Sequence, residues 1–290
     1  MRYLALIILL CLAGAASVRA QIKVEIVLDR KQFVPGESLV VGARIINHSG
    51  QPLKFGRDPG WLQINVEPTD NSVVQRLAPV PAVGEFELES AMMGTRRIDL
   101  APCFDLSKPG RYHVTATVLV AEWNQQITSE PKAIEIFPGT TVWEQKFGVP
   151  NADRPDSPEF RKYALLKANH TDQKKYYVQV TDEYGVKTYG VFPVAPVIAS
   201  REPLVLLDRR SNLHLLAPTG RISYGYYVIS PSGNLILRER HDIAGNSFPR
   251  LRPAKDGEVN VVGGARKESP DDFPPPPTAK LEPPLEKPRP

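Results

Sequence analysis

The sequence contains little cysteine, two residues in 290, and no long apolar run after its first 20 residues. Cys11 lies inside that first run, so Cys103 is alone in the rest of the chain and cannot form an internal disulfide there. The lack of a second apolar stretch of about 20 residues excludes a later transmembrane helix. The fold must therefore depend on burial and strand pairing, and we expect Cys103 to be a packed, unreactive residue.

Signatures of catalysis are also missing. The sequence has no Gly-Lys-Ser/Thr phosphate loop, no Gly-x-Ser-x-Gly elbow and no His-Glu-x-x-His motif. Its histidines lack metal-ligand spacing, so we predict no metal and no cofactor. One arrangement stays open, a cluster of His214 and His241 with Asp208 and Asp242. The formal net charge of +4 is too small to indicate nucleic acid as a partner. We therefore predict that the protein is not an enzyme.

An export signal occupies residues 1–20. Arg2 provides the positive end, Leu4 to Gly14 form a short apolar core, and Val18-Arg19-Ala20 offers a site for a signal peptidase. We predict cleavage before Gln21. The mature protein is then expected in the periplasm or outside the cell, with no stable membrane insertion after the leader is removed.

Residues 21–138 have the pattern of short, half-buried strands. Val24, Ile26 and Leu28 are apolar and alternate with the residues between them, and a period of two is typical of a strand with one buried face. Pro35-Gly36 supplies the backbone angles of a tight turn. Short strands and turns recur at this spacing up to Pro138, which predicts a β-sandwich.

The order of these signals resembles the immunoglobulin-like modules of bacterial secreted proteins. Phe33-Val34-Pro35-Gly36-Glu37 is followed by Asn47 after an apolar strand, and Lys108-Pro109-Gly110-Arg111-Tyr112 precedes a long alternating strand. The resemblance implies that Tyr112 is a corner tyrosine that braces the penultimate strand. Such modules include adhesive, scaffold and proteinase-inhibitor domains.

The second half of the chain predicts a different β architecture. We assign residues 139–158 to a linker that contains Pro155 and Pro158. Residues 159–264 repeat a unit of strand, polar turn and strand, which predicts an antiparallel β-meander with blade-like repeats and makes the whole protein all-β. Residues 265–290 hold four consecutive prolines and predict an extended, disordered tail.

The candidate ligand-binding residues are three tyrosines and two arginines of the second domain: Tyr224, Tyr226, Tyr227, Arg209 and Arg210. In one interpretation they form an aromatic and cationic platform for a glycan or an anionic polymer. In the other, the tyrosines reflect strand propensity and the arginines are solvated. Alternation directs Tyr224 and Tyr226 to one face and Tyr227 to the other, so part of the set must belong to the core.

These features predict an exported, non-catalytic binding or scaffold protein of the cell envelope or the extracellular space. Its partner would be a protein or a polysaccharide of that compartment. Two alternatives stay open. The immunoglobulin-like resemblance permits a proteinase inhibitor. An accessory of a glycan-acting enzyme is the other, and an active glycosidase site would need two carboxylates roughly 5 to 10 Å apart in a cleft.

Overall fold

The computed structural model describes residues 21–70, 72–82, 84–150, 158–171, 173–198 and 201–274. In these ranges the chain forms β-strands and a short 3-10 helix, Ala121–Trp123, without any α-helix, which confirms the all-β prediction. None of the helical structure there is long and apolar enough to cross a membrane. The predicted leader at residues 1–20 and the tail from residue 275 lie outside the described residues. The chain divides into two compact units, Met1–Pro138 and Gly139–Pro290.

The described residues of the first unit form ten strands. They are β1 (Ile22–Leu28), β2 (Gln32–Phe33), β3 (Val40–Asn47), β4 (Leu53–Phe55), β5 (Leu62–Pro68), β6 (Phe86–Leu88), β7 (Met93–Asp99), β8 (Gly110–Val120), β9 (Gln125–Thr128) and β10 (Lys132–Ile136). One sheet has the order β1-β3-β7, and a second has the order β2-β10-β8-β5 with β9 beside β8. Strands β4 and β6 pair separately.

The alternating residues of these strands meet in one hydrophobic core. The pattern is clear in β8, where every second residue from Tyr112 to Val120 is buried. Ile26 of β1 and Ile45 of β3 join the same core from the other sheet. Cys103 is buried among these side chains as a free thiol. Burial raises the pKa of this thiol, and Asp99 raises it further.

Two turns show how local sequence directs the sandwich. At Pro35-Gly36, Gly36 has a φ of +80° and the amide of Glu37 donates to the carbonyl of Val34 over 3.1 Å. This φ is one that glycine adopts without strain. Before β8, the hydroxyl of Tyr112 donates to the carbonyl of Lys108 over 2.7 Å, a bond of the kind implied for a corner tyrosine.

Eleven strands lie in the part of the second unit that the structure describes. They are β11 (Thr140–Val149), β12 (Glu159–Asn169), β13 (Lys174–Asp182), β14 (Thr188–Pro196), β15 (Leu204–Leu207), β16 (Leu213–Pro218), β17 (Ser223–Ile229), β18 (Leu235–Asp242), β19 (Arg250–Pro253), β20 (Val259–Val262) and β21 (Ala265–Lys267). The sheets have the orders β11-β12-β13-β14 and β15-β16-β17-β18-β21, and β19 pairs with β20.

Both main sheets are antiparallel meanders, as the repeated strand-turn-strand pattern predicted. They pack face to face around a core that includes Tyr163, Val178, Leu215 and Tyr227. The β19–β20 hairpin adds a third layer, since its Leu251 packs on the opposite face of the second sheet with the cluster around Tyr226. The sequence did not predict this third layer.

Two domain boundaries from the sequence need correction. The predicted linker, residues 139–158, contains β11, which pairs with β12 along its length. Only Phe147 of this edge strand is buried. Because the strand has one exposed edge and few buried side chains, its sequence does not show the apolar alternation by which strands are predicted. The predicted tail, residues 265–290, begins with β21, which pairs with β18, and Phe273 forms a bridge with Arg238. Main-chain pairing holds these segments even though they contribute few apolar side chains.

Candidate functional site

The three candidate tyrosines lie on β17 but not on one surface. Tyr227 packs in the core between the two main sheets, and its hydroxyl donates to the carbonyl of Val194. Tyr226 faces the hairpin layer, and each of these two rings is only 6% exposed. Tyr224 is half-buried near the guanidinium of Arg201, 5.8 Å from the ring centroid. The expected alternation therefore holds, and it buries most of the proposed platform.

The two candidate arginines lie elsewhere, in the turn between β15 and β16. Both are exposed, and their guanidinium groups lie 3.7 and 3.8 Å from the carboxylate of Glu258. The amide of Arg209 also donates to the carbonyl of Gly257 over 2.9 Å. These contacts attach the turn to the hairpin layer. The five candidate residues thus do not form a shared aromatic and cationic surface.

Three buried polar side chains, Tyr226, His214 and Asp208, form a row of contacts that links β17 to this turn. The Nδ1 atom of His214 lies 2.6 Å from the Tyr226 hydroxyl, and its Nε2 atom lies 3.2 Å from Oδ2 of Asp208. Burial raises the pKa of Tyr226 to about 12, with Glu239 adding to the shift. The hydroxyl is therefore protonated at neutral pH and suits a donor to His214 better than a nucleophile.

The electrostatics of Asp208 fit the same structural role. Burial raises the pKa of its carboxyl, but hydrogen bonds from Asn212, His214 and the Arg210 amide outweigh it, and the pKa falls below its ordinary value. Asp208 also accepts a side-chain hydrogen bond from Asn212 over 2.8 Å. The carboxylate therefore organises its own turn and anchors His214 inside the layer.

The possible metal cluster does not assemble. His214 approaches Asp208, but His241 lies 3.3 Å from Glu239, and Asp242 accepts a hydrogen bond from Arg240 over 2.9 Å. In the described ranges no group of three histidine, cysteine or acidic side chains is placed to hold a metal ion.

An open groove in the first unit is the strongest candidate site. It has a volume of about 470 Å³ and follows β1 from Lys23 to Leu28. Its lining residues are Lys23, Val24, Glu25, Ile26, Val27, Leu28, Lys31, Arg44, Glu130 and Lys132. The groove exists because β1 belongs to one sheet, whereas β2 joins the other sheet by parallel pairing with β10.

One edge of β1 is not paired with a strand in the described part of the chain, because β1 pairs only with β3. The carbonyl of Gln21 accepts a hydrogen bond from the amide of His48 over 2.6 Å, so the odd-numbered residues of β1 direct their main-chain groups to β3. In an antiparallel pair these directions alternate. Ile22, Val24 and Ile26 therefore direct their N–H and C=O groups to the open edge.

The charges of the groove are unbalanced, with four basic side chains against two carboxylates. Glu25 lies 2.7 Å from Lys23 and 3.7 Å from Arg44, so it is already neutralised. The hydrogen bond from Lys23 lowers the pKa of Glu25 despite the opposing effect of burial. Lys31 and Lys132 are exposed and form no ion pair with any described residue.

Sequence reasoning missed this groove for a physical reason. The alternation of Val24, Ile26 and Leu28 indicates a strand and its buried face, but not which neighbour each edge receives. That neighbour is set by where β2 and β10 meet, more than 100 residues apart in the chain. The Lys23-x-Glu25 pattern with Lys31 was the available signal, since lysines are common on exposed strand edges.

Comparisons of the chain with protein-family models, with curated proteins and with solved structures found no match. The inference of a function therefore depends on the geometry of the groove and on the chemistry of the residues that line it.

Proposed function

We propose that this is an exported, non-catalytic binding or scaffold protein that holds a polypeptide partner in the groove along β1. The observation that carries the proposal is the open edge of β1, where Val24 and Ile26 present main-chain donors and acceptors within a groove of about 470 Å³. An unpaired strand edge is a ready template for another chain. A recessed edge can pair with a selected partner in the way that peptide-binding domains add a strand.

The strand order of the first unit supports an immunoglobulin-like assignment within this proposal. We take β1, β3 and β7 as strands A, B and E, and β5, β8 and β10 of the second sheet as strands C, F and G, an assignment that the observed strand orders support. Tyr112 then lies near the start of strand F, and its hydroxyl bonds back to Lys108, four residues upstream. This placement fits a corner tyrosine.

The ionisable groups of the groove suit binding better than catalysis. A general acid needs a pKa raised toward the working pH. The pKa of Glu25 is instead lowered, first by the hydrogen bond from Lys23 and then by the charges of Lys23 and Arg44. Its carboxylate is therefore a fixed charge in an ion-pair network, which favours holding a ligand over transferring protons.

Photo-crosslinking in the source organism tests the proposal. Lys23 lines the groove with a 64% exposed side chain, so replacing it with photoreactive benzoylphenylalanine should leave the fold intact. We expect a covalent adduct with a polypeptide after irradiation. The matched control is the same replacement at Val73, which is 88% exposed in the same unit and lies outside the groove. Equal adducts at both positions, an adduct with a glycan, or no adduct at Lys23 would contradict the proposal.

A further inference from the structure

We infer that the groove binds an extended acidic segment of another polypeptide, which adds to β1 as a new outer strand. The inference rests on the proposed function, because it specifies the ligand of the same site. It combines two independent features of the groove, the direction of the main-chain groups of β1 and the excess of basic side chains.

The main chain determines the form of the ligand. Ile22, Val24 and Ile26 direct their N–H and C=O groups outward, while their side chains are buried in the core. A second strand can therefore pair with these groups without displacing a side chain of the core. The seven residues of β1 offer an edge of roughly 23 Å at about 3.3 Å per residue, which suits a ligand segment of similar length.

The side chains determine the charge of the ligand. Lys31 and Lys132 line the groove and form no ion pair within 4 Å among the described residues, although the charge of Lys132 acts on Glu25. Glu25 is paired with Lys23 and Arg44, and Glu130 is the only other carboxylate in the described lining, so the groove keeps an excess of basic groups. Lysines on a strand edge oppose pairing with a neutral or basic strand. Carboxylates on the incoming segment reverse this effect, because opposite charges steer association and fix the register.

The same charges disfavour a second copy of this chain as the occupant. A symmetric pairing of two β1 edges would bring the basic groups of both grooves together, including Lys31 and Lys132 of each copy. Like charges placed opposite each other across paired strands are destabilising. An acidic segment from a different polypeptide avoids this repulsion.

Fluorescence anisotropy with designed peptides tests the inference. The probes are a labelled eight-residue peptide of alternating Val and Glu and its counterpart with Lys in place of Glu, added to the chain of residues 21–290. We expect the acidic peptide to bind at least about tenfold more tightly at low salt, with the preference decreasing as salt screens the charges.

N-methylated peptides test strand addition directly. Methylation of every second amide on the side facing β1 removes the donors that pair with Ile22, Val24 and Ile26, whereas methylation of the other set leaves them. We expect methylation of the amides that face β1 to reduce the affinity by about tenfold or more. Methylation of the other amides should have little effect. Purely electrostatic binding would respond alike to both sets, and that result would overturn the inference.

Charge reversal locates the binding in the groove. Lys132→Glu should weaken binding of the acidic peptide by roughly 5- to 10-fold, because it replaces an unpaired groove cation. Arg57→Glu is the matched control, since Arg57 is exposed in the same unit outside the groove, and it should leave the affinity unchanged.

The outcomes separate the inference from the proposed function. Equal affinity for acidic and basic peptides, no binding of the acidic peptide, or equal effects of Lys132→Glu and Arg57→Glu would overturn the acidic strand. Such a result would leave the groove as a polypeptide site if crosslinking at Lys23 succeeds. Dimers seen by analytical ultracentrifugation and dissociated by the acidic peptide would also overturn the inference, because they would place a second copy in the groove.

Discussion

Tyr112 combines a nearly buried ring with one polar contact. The hydroxyl donates to the Lys108 carbonyl over 2.7 Å at the entrance to β8. We predict that Tyr112→Phe lowers the free energy of unfolding of the first unit by about 1 kcal/mol, because the carbonyl loses its partner while the ring still packs. Urea denaturation monitored by hydrogen exchange in β8 measures the change. Tyr184→Phe, at an 82% exposed position, is the control and should have no effect. If Tyr112→Phe leaves the free energy of unfolding unchanged, the hydroxyl of Tyr112 does not brace β8.

The carboxyl of Glu159 makes the stability of the second unit depend on pH. Its pKa falls from 4.5 to about 2, first because of the hydrogen bond from Arg161 and then because of the one from Tyr189. A pKa that is lower in the folded state adds stability above the unfolded value, and this stability is lost as pH falls through the folded value. The side chain is 37% exposed, so solvent screens the contribution.

We therefore predict that Glu159→Gln is less stable than the natural protein above about pH 4.5, and that the difference shrinks as pH falls from 4.5 to about 2. Protonated glutamic acid resembles glutamine in charge, which is why the two proteins converge. Urea midpoints measured across this range check the trend. A difference that stays constant down to pH 2 would show that Arg161 and Tyr189 do not lower the pKa.

At the scale of elements, β11 has one buried side chain, Phe147, while its Trp143 and Val149 are only partly buried against the same core. Phe147 is 8% exposed and stacks on Tyr163 with ring centroids 4.4 Å apart, whereas the rest of the strand is largely exposed. We predict that Phe147→Ala lowers the stability of the second unit by about 3 kcal/mol, since it removes a packed aromatic ring. Faster hydrogen exchange in β11 and β12 at moderate urea concentrations would show the loss.

Phe160→Ala is the matched control for β11. Phe160 lies on the neighbouring strand β12 but is 50% exposed, so its removal should change stability by less than about 0.5 kcal/mol. Similar effects of both substitutions would mean that Phe147 is not the residue that attaches β11 to the sheet.

The elements also show how far sequence reasoning reaches. The alternation in β1 and β8 and the turn at Pro35-Gly36 predicted strands that the structure contains, because each follows from side chains close in the chain. β11 was missed because edge pairing through the main chain needs few apolar residues. The burial of Tyr226 was missed because the hairpin layer that covers it begins at Arg250. Contacts set by distant segments leave no local pattern to read.

At the scale of the molecule, each unit is built around its own core and neither contains a disulfide among its described residues. Stability must come from burial and strand pairing, as the scarcity of cysteine predicted. In the second unit, the candidate polar side chains contact neighbouring elements. His214 contacts Tyr226 and Asp208, and Arg209 and Arg210 lie near Glu258 of the hairpin layer. Among the described residues of the first unit, the groove combines an unpaired main-chain edge of β1 with two lysines that form no ion pair within 4 Å, Lys31 and Lys132.

The cleavage site that the sequence predicts lies at the start of β1. The Gln21 carbonyl already pairs with His48, and Ile22 is the first residue of the strand. Cleavage before Gln21 would therefore give the mature chain an N-terminus at the point where β1 starts to pair with β3. All the main-chain groups that point outward from Ile22 onward would be kept. We propose that the mature protein starts at Gln21. Ala20→Lys should block processing, because a signal peptidase needs a small residue there.

Intact mass and N-terminal sequencing of the exported protein test this processing step. The expected result is a chain that starts at Gln21, with uncleaved precursor accumulating for Ala20→Lys. A mature terminus beyond Ile22 would contradict both the leader and the groove, because it would remove part of the edge that pairs with the partner. A terminus at Gln21 together with loss of peptide binding in the Ala20→Lys precursor would show that a retained leader obstructs the groove.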